Sequence, residues 1–182
     1  MLKDKVTQAS VERESGAINF LSSDPAIKIT QTVYGQWQES RAEEQMSILL
    51  QRYPDLKLVW TANDHMAFGA MRAARARGKT PGKDILFATH NTSEKVLQAL
   101  ADDEVGVLGG GHFLAGGWAL VMLFDHANGV DIRAHYRLPL FSLIVPESEF
   151  YHRLKSRRWS EIDFRAYSRY LTGAERYQFE IR

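Results

Sequence analysis

The stretch VWTANDHMAFGAMRAARARGKTPGKDILFATHNTS, residues 59–93, decides the fold. Two short apolar runs flank a helical stretch, and polar residues follow each run. Strands that alternate with helices in this way indicate βαβ units and a parallel sheet. The functional question is whether Asn63, Asp64, His90 and Asn91 line a binding site or only close two turns.

The same alternation extends over most of the chain. The sequence predicts helices over residues 7–23, 40–53, 64–77, 94–101 and 112–128, and strands over residues 26–35, 56–62, 84–89 and 104–109. Asn91 followed by Glu94 has the pattern of a capping box, which predicts that Asn91 opens the fourth helix. We therefore predict an α/β fold with three layers, in which helices flank a mostly parallel sheet.

Composition excludes several classes of function. The chain has 182 residues, of which 45% are hydrophobic and 25% charged, and a net charge of +1, so nothing indicates nucleic acid or an anionic membrane as a partner. The absence of Cys excludes disulfides and thiol catalysis. The six His lack metal-ligand spacing, and there is no nucleophile elbow. We predict no metal, no cofactor and no enzymatic activity.

A glycine-rich segment, GGGHFLAGG, follows a predicted strand and opens a helix. A dinucleotide fingerprint requires the spacing G-x-G-x-x-G, and Gly109, Gly111 and Gly116 miss the third position. The segment is better explained by close packing between a helix and a strand.

Polar and aromatic residues lie where the predicted strands end, which is where ligands bind in open α/β sheets. These residues are Trp37, Asn63, Thr89, His90 and Gly110. An aromatic face can pack on a sugar-like ring, and amides bind hydroxyls in both directions, so the set suits a small neutral polar ligand. Singly, Asn63 and Asn91 could be ordinary helix caps and Trp37 could belong to the core. Their joint position favours a site, in which we expect Asn63 and His90 to face the ligand while Asp64 and Asn91 cap helices.

The segment from Tyr53 to Gly106 resembles the second half of the type I periplasmic substrate-binding proteins, the group of the ribose- and galactose-binding proteins. The most specific part is the motif N-D-x-M-A-x-G-A at residues 63–70, and the similarity extends over about residues 5–145. The resemblance implies a non-enzymatic protein of the periplasm. It would close two lobes around a small polar, sugar-like ligand for the permease of an ABC transporter.

Carried over residue by residue, the resemblance assigns ligand contacts to five positions. Arg13 matches an Arg that clamps ligand hydroxyls, Trp37 matches an aromatic that stacks on the ring, and Asn63 is the amide of the N-D motif. His90 stands where sugar binders usually have an Asp, and Gly110 stands where a Gln or Asn is common. These two departures remove a carboxylate and an amide, which argues against a plain monosaccharide.

The resemblance also implies a division of the chain. Residues 1–109 would form the second lobe without its first strand, residues 110–136 would return to a missing first lobe, and residues 137–182 would return to the second lobe and end in an aromatic-rich tail. The chain would then be a fragment, in keeping with an N-terminus that has no apolar region of a signal peptide. The apolar helix over residues 113–124 would be uncovered and would promote self-association.

Two alternative functions share the superfamily. A ligand-binding receptor could report to a membrane sensor kinase, and the aromatic-rich tail would suit a docking surface. An effector-binding domain of a transcription regulator would need a helix-turn-helix segment, and none is found in the sequence.

Overall fold

The computed structural model describes residues 2–3, 7–133 and 141–179. They form two compact units, Met1–Leu108 and Gly109–Arg182. The elements in chain order are β1 (Leu2–Lys3), α1 (Gln8–Leu21), β2 (Val33–Tyr34), α2 (Glu39–Arg52), β3 (Leu58–Trp60), α3 (Asp64–Ala76), β4 (Leu86–His90), α4 (Glu94–Ala101), β5 (Val107–Gly110), α5 (Ala115–Ala127), β6 (Ser142–Leu143), α6 (Glu149–Ser156) and α7 (Arg169–Thr172). The predicted division at residue 136 lies outside the described residues.

Strand pairing in the first unit is parallel, as the sequence predicts. Leu58, Val59 and Trp60 of β3 align with residues 86–88 of β4, and β1 pairs with β2 in the same sense. Helix α3 connects β3 to β4 and ends where predicted, because Gly78 takes the left-handed conformation, with φ of 72°, that a glycine cap supplies. This βαβ unit positions the candidate site residues.

Helices α2 and α3 form the best-packed part of the first unit. The residues of α2 that periodicity predicts to be inward, Ala42, Met46, Leu49 and Leu50, are all buried. Gly69 of α3 lies so close to α2 that an added Cβ would fall 2.0 Å from the carbonyl oxygen of Glu39. At the exposed rim of this contact, Arg72 pairs with Glu39 and Glu43. The basic stripe of Arg72, Arg75 and Lys79, which the sequence predicts to be a solvated face, is ion-paired at Arg72 and Arg75.

Three local predictions are wrong or only partly confirmed. In α1, periodicity predicts that Val11 lies on the inward face, but its side chain is 46% exposed and Ser10 is the buried residue of that helix. Of the strand predicted over residues 26–35, only Val33–Tyr34 is paired. Helix α4 is capped by Ser93, whose hydroxyl accepts a hydrogen bond from the backbone N–H of Val96, so the predicted capping box at Asn91 is wrong.

In the second unit the C-terminal aromatics pack on one face of α5. Trp118 is almost fully buried, with ring-centroid distances of 5.1, 4.7 and 5.1 Å to Phe164, Tyr167 and Phe179. The prediction that α5 has nothing to cover it is therefore wrong for this face. On the opposite face Leu120 is 69% and Leu123 60% exposed. Self-association through this helix stays a prediction.

A buried carboxylate holds the tail against α5. Asp125 is fully buried and accepts hydrogen bonds from the hydroxyl of Ser168, the backbone N–H of Arg169 at 2.7 Å and the hydroxyl of Tyr177 at 2.9 Å. Burial alone would raise the pKa of Asp125, but these hydrogen bonds outweigh it and lower the pKa below its ordinary value. The tail is anchored through its polar groups as well as its rings.

The hydrogen bond from Tyr177 to Asp125 predicts that the folded state loses stability at alkaline pH. Burial, with the hydrogen bond to Asp125, raises the pKa of Tyr177 from 10.0 to about 12. The neutral phenol is favoured in the folded state, so its contribution is complete below pH 10 and is lost as pH rises from 10 towards 12. We expect the free energy of unfolding, measured by urea denaturation over this range, to fall more steeply in the wild type than in Tyr177→Phe. Equal slopes would contradict the assignment, because the two proteins differ only in the hydroxyl of Tyr177.

Within residues 7–133 and 141–179, no helix is both long enough and apolar enough to span a membrane.

Candidate functional site

Arg13 and Trp37 contact each other at the carboxyl end of β2. The guanidinium carbon of Arg13 lies 5.7 Å from the centre of the Trp37 ring, within the range of a cation–π contact. The Nη1 group of Arg13 also donates a hydrogen bond of 2.5 Å to the carbonyl oxygen of Ala62, just beyond β3. Arg13, on α1, therefore contacts both the β2–α2 turn and the end of β3. These contacts are consistent with one site formed by all three segments.

The turn that presents Trp37 has an unusual backbone. Gln36 and Trp37 have φ angles of 51° and 61°, in the left-handed region that residues other than glycine seldom occupy. Gly35, which precedes them, is buried against Met66 of α3, and an added Cβ would fall 2.7 Å from the Met66 sulfur. Strained backbone of this kind is concentrated at functional sites, because packing must hold it in place.

Asn63 is the N-cap of α3. Its side-chain oxygen accepts a hydrogen bond of 2.9 Å from the backbone N–H of Met66, and the residue is 7% exposed. We expected Asn63 to face the ligand and not to cap a helix, but its side chain does cap α3. Its contact with a ligand stays a prediction. The cap uses only the carbonyl half of the amide, and the two N–H donors are the part that could bind a hydroxyl.

Asp64 and Asn91 act together, which the sequence did not predict. The side-chain nitrogen of Asn91 donates a hydrogen bond of 2.8 Å to Asp64, which also accepts from the backbone N–H of His65. Asn91 has a φ of 94°, a conformation that Asn tolerates better than most residues. The pair links the polar turns that follow β3 and β4.

Thr89 lies inside the structure rather than at its surface. The hydroxyl of Thr61 donates a hydrogen bond of 2.7 Å to the hydroxyl of Thr89, and both residues are at most 2% exposed. As a ligand contact Thr89 stays a prediction, but this position favours a supporting role. Thr61, which lies just beyond β3 and supports the site through this bond, was not among the predicted contacts.

His90 ends β4 and contacts a buried aromatic residue of β3. Its ring meets that of Trp60 edge to face, with centroids 5.7 Å apart, and the residue is half-buried. Imidazole is a donor or an acceptor according to its protonation, unlike the acceptor-only carboxylate that the family resemblance places here.

Gly110, the remaining predicted contact, belongs to the second unit. Its backbone ends β5, where Gly110 aligns with Ser142 of the antiparallel strand β6. Its role in ligand binding stays a prediction.

The electrostatics of the first-unit site depend on two opposite charges, those of Arg13 and Asp64. Partial burial lowers the pKa of Arg13, and the charge of Asp64 partly offsets this. The guanidinium stays charged at any physiological pH. No group of His, Asp and Glu that could hold a metal ion is found among the described residues. Planar donors, amides and an aromatic face suit hydrogen bonding to a polar ring better than bond-breaking chemistry.

Comparison with known proteins decides the family. A family profile described as a periplasmic binding protein domain matches residues 3–131, well over half of the chain. The chain belongs to this family. A periplasmic sugar-binding protein from Pseudomonas fluorescens has 41% sequence identity and a TM-score of 0.86 over 98% of the chain and 56% of its own. The predicted fold class is confirmed: an α/β fold with helices around a mostly parallel sheet.

Two curated relatives of this periplasmic binding protein domain are more distant. The galactofuranose-binding protein of Escherichia coli is 29% identical over 52% of this chain and 31% of its own length. A D-apiose import binding protein of Actinobacillus succinogenes is 28% identical over 72% of this chain and 38% of its own. The chain thus spans about a third of the curated relatives' length. Their names describe binding proteins, in agreement with the prediction that the chain is not an enzyme.

Proposed function

We propose that the chain contributes one side of the ligand site in a periplasmic sugar-binding protein that serves an ABC importer. The contact of Arg13 with the Trp37 ring and the Ala62 carbonyl carries this proposal, because it places a charged donor beside an aromatic face and beside the residue that precedes Asn63. A sugar ring offers an apolar face to the indole and hydroxyls to the donors.

The names of the relatives support a single sugar unit as ligand. One name refers to galactofuranose, and the other refers to the import of D-apiose. We infer from them that the complete protein works in the periplasm and delivers its sugar to a permease. The receptor for a sensor kinase and the transcription regulator have no such support.

Asn63→Asp is the most selective test of this site. Asp is as good an N-cap as Asn, so the bond from the Met66 backbone N–H should persist while the two amide donors are lost. We expect an affinity loss of about tenfold, the usual size for one hydrogen bond, with an unchanged melting temperature. The measurement is Trp fluorescence titration of the wild-type chain and the variant with D-ribose, D-allose, D-galactose and D-apiose.

Arg13→Ala should weaken sugar binding by about 10- to 100-fold, because it removes a charge-assisted donor. Arg75→Ala is the matched control, since Arg75 forms an exposed pair with Glu104 away from these turns. Equal affinities for Arg13→Ala and the control, or no saturable response of the wild type to any of the four sugars, would contradict the proposal.

A further inference from the structure

A guanidinium and an imidazole lie near each other at the carboxyl ends of β3 and β4. Arg13 donates a hydrogen bond to the carbonyl oxygen of Ala62, the second residue after β3. The two strands are parallel, and Trp60 is aligned with Ala88. Two residues further along each segment, Ala62 therefore lies beside His90, at the spacing of about 4.8 Å that separates neighbouring strands.

The carboxylate of Asp64 belongs to the same region but is withdrawn from its surface. Asp64 is 2% exposed, whereas Arg13 and His90 are half-buried. The carboxylate accepts hydrogen bonds from the Asn91 amide at 2.8 Å and from the backbone N–H of His65 at 3.0 Å. Asp64 is also the first residue of α3, where the helix dipole stabilises a negative charge. Its charge is therefore compensated within the protein, and a ligand meets the guanidinium and the imidazole instead.

These two side chains favour an anionic group on the ligand. A guanidinium only donates hydrogen bonds and keeps its positive charge, and an imidazole donates through its N–H. Hydrogen bonds from a charged donor to a carboxylate are roughly twice as strong as those between neutral groups, and partial burial strengthens them further. A neutral hydroxyl would use the same donors with a smaller gain.

We propose that this site selects a sugar that carries a carboxylate, such as a uronic acid, over its neutral counterpart. The inference rests on the proposed function, in which the Trp37 ring packs on the sugar. Arg13 and His90 then bind the ligand carboxylate, whose single charge the one guanidinium matches better than it matches a phosphate dianion. The ligand is therefore acidic, and not neutral as the strand-end residues alone indicate.

The test compares matched ligands on the full chain by Trp fluorescence titration. D-galacturonate and D-glucuronate differ from D-galactose and D-glucose only in a carboxylate that replaces the terminal hydroxymethyl group. The methyl ester of D-galacturonic acid keeps the carbonyl and loses the charge. We expect the acid to bind about 10- to 100-fold more tightly than the neutral sugar or the ester, as charge-assisted hydrogen bonds imply.

His90→Asp is the matching protein variant. It places a carboxylate at the end of β4, where like charges repel the acid while a hydroxyl can still donate to the new side chain. We expect the preference to reverse, with D-galactose bound about tenfold more tightly than D-galacturonate. Lys83→Gln is the control, because it lowers the net charge before the opposite end of β4 and should keep the wild-type preference. Circular dichroism of both variants verifies folding.

Neutral sugars that bind as tightly as their acids in both pairs would overturn this inference and leave the proposed function in place. An ester that binds as tightly as the acid, or an unchanged preference in His90→Asp, would overturn it as well. Tighter binding of D-galactose 6-phosphate would make phosphate the selected group. No binding of any of these ligands would overturn the proposed function too. The comparison of ligands on the wild-type chain needs no substitution, so it decides even where His90→Asp fails to fold.

Discussion

Gly69→Ala should lower the free energy of unfolding by about 3 kcal/mol, at the upper end of what overpacking usually costs. The new methyl group would lie 2.0 Å from the carbonyl oxygen of Glu39 and 3.0 Å from the backbone nitrogen of Glu43. These are backbone atoms, so no side chain can rotate away, and α2 and α3 must move apart. Urea denaturation followed by far-ultraviolet circular dichroism gives the change.

Gly16→Ala is the control for this prediction. Gly16 also lies inside a helix, α1, but an added Cβ there meets nothing within 4 Å. The substitution should therefore stabilise the chain by about 0.5–1 kcal/mol through helix propensity alone. If both variants were stabilised, the close approach of α2 and α3 would be wrong.

Asp125→Ala should destabilise the second unit by about 3 kcal/mol, because it leaves two hydroxyls and a backbone N–H without their acceptor. Ser168, Arg169 and Tyr177 all donate to this carboxylate, so the tail should also detach from α5. We expect faster trypsin cleavage after Arg157 and Arg158 and a changed fluorescence of Trp118. Urea denaturation measures the loss of stability.

Asp131→Ala provides the comparison for Asp125. The Asp131 carboxylate pairs with Arg133 on the surface, where such pairs contribute little. Its removal should change stability by less than about 0.5 kcal/mol and leave the cleavage rate unaltered. Similar effects for the two substitutions would contradict the anchoring role of Asp125.

Much of the first unit could be predicted from local patterns. The periodicity of α2 identified its buried residues, the strand ends indicated Trp37 and Asn63, and Arg13 was assigned by the family resemblance. The cap of α4 could not be predicted in this way. Asn91 and Ser93 are both good caps, and the choice depends on Asp64, which binds the Asn91 amide from 27 positions away.

Helix α5 carried a sequence signal of the face that the tail covers. Trp118, Val121, Met122 and Asp125 follow the i, i+3, i+4, i+7 spacing of one helix face, and all four are buried. A carboxylate on an apolar face needs donors from elsewhere. Which residues supply them could not be read from the sequence, since Ser168 and Tyr177 lie 43 and 52 positions away.

The hydrogen bonds between the two strand ends, Thr61 to Thr89 and Asn91 to Asp64, separate the frame of the site from its contact surface. Because the frame is fixed before any ligand arrives, binding costs little conformational entropy there. Arg13, Trp37 and His90 do not contribute to these bonds. If the proposed site binds a sugar, substitution at these three positions can therefore change which sugar is selected while the frame stays intact.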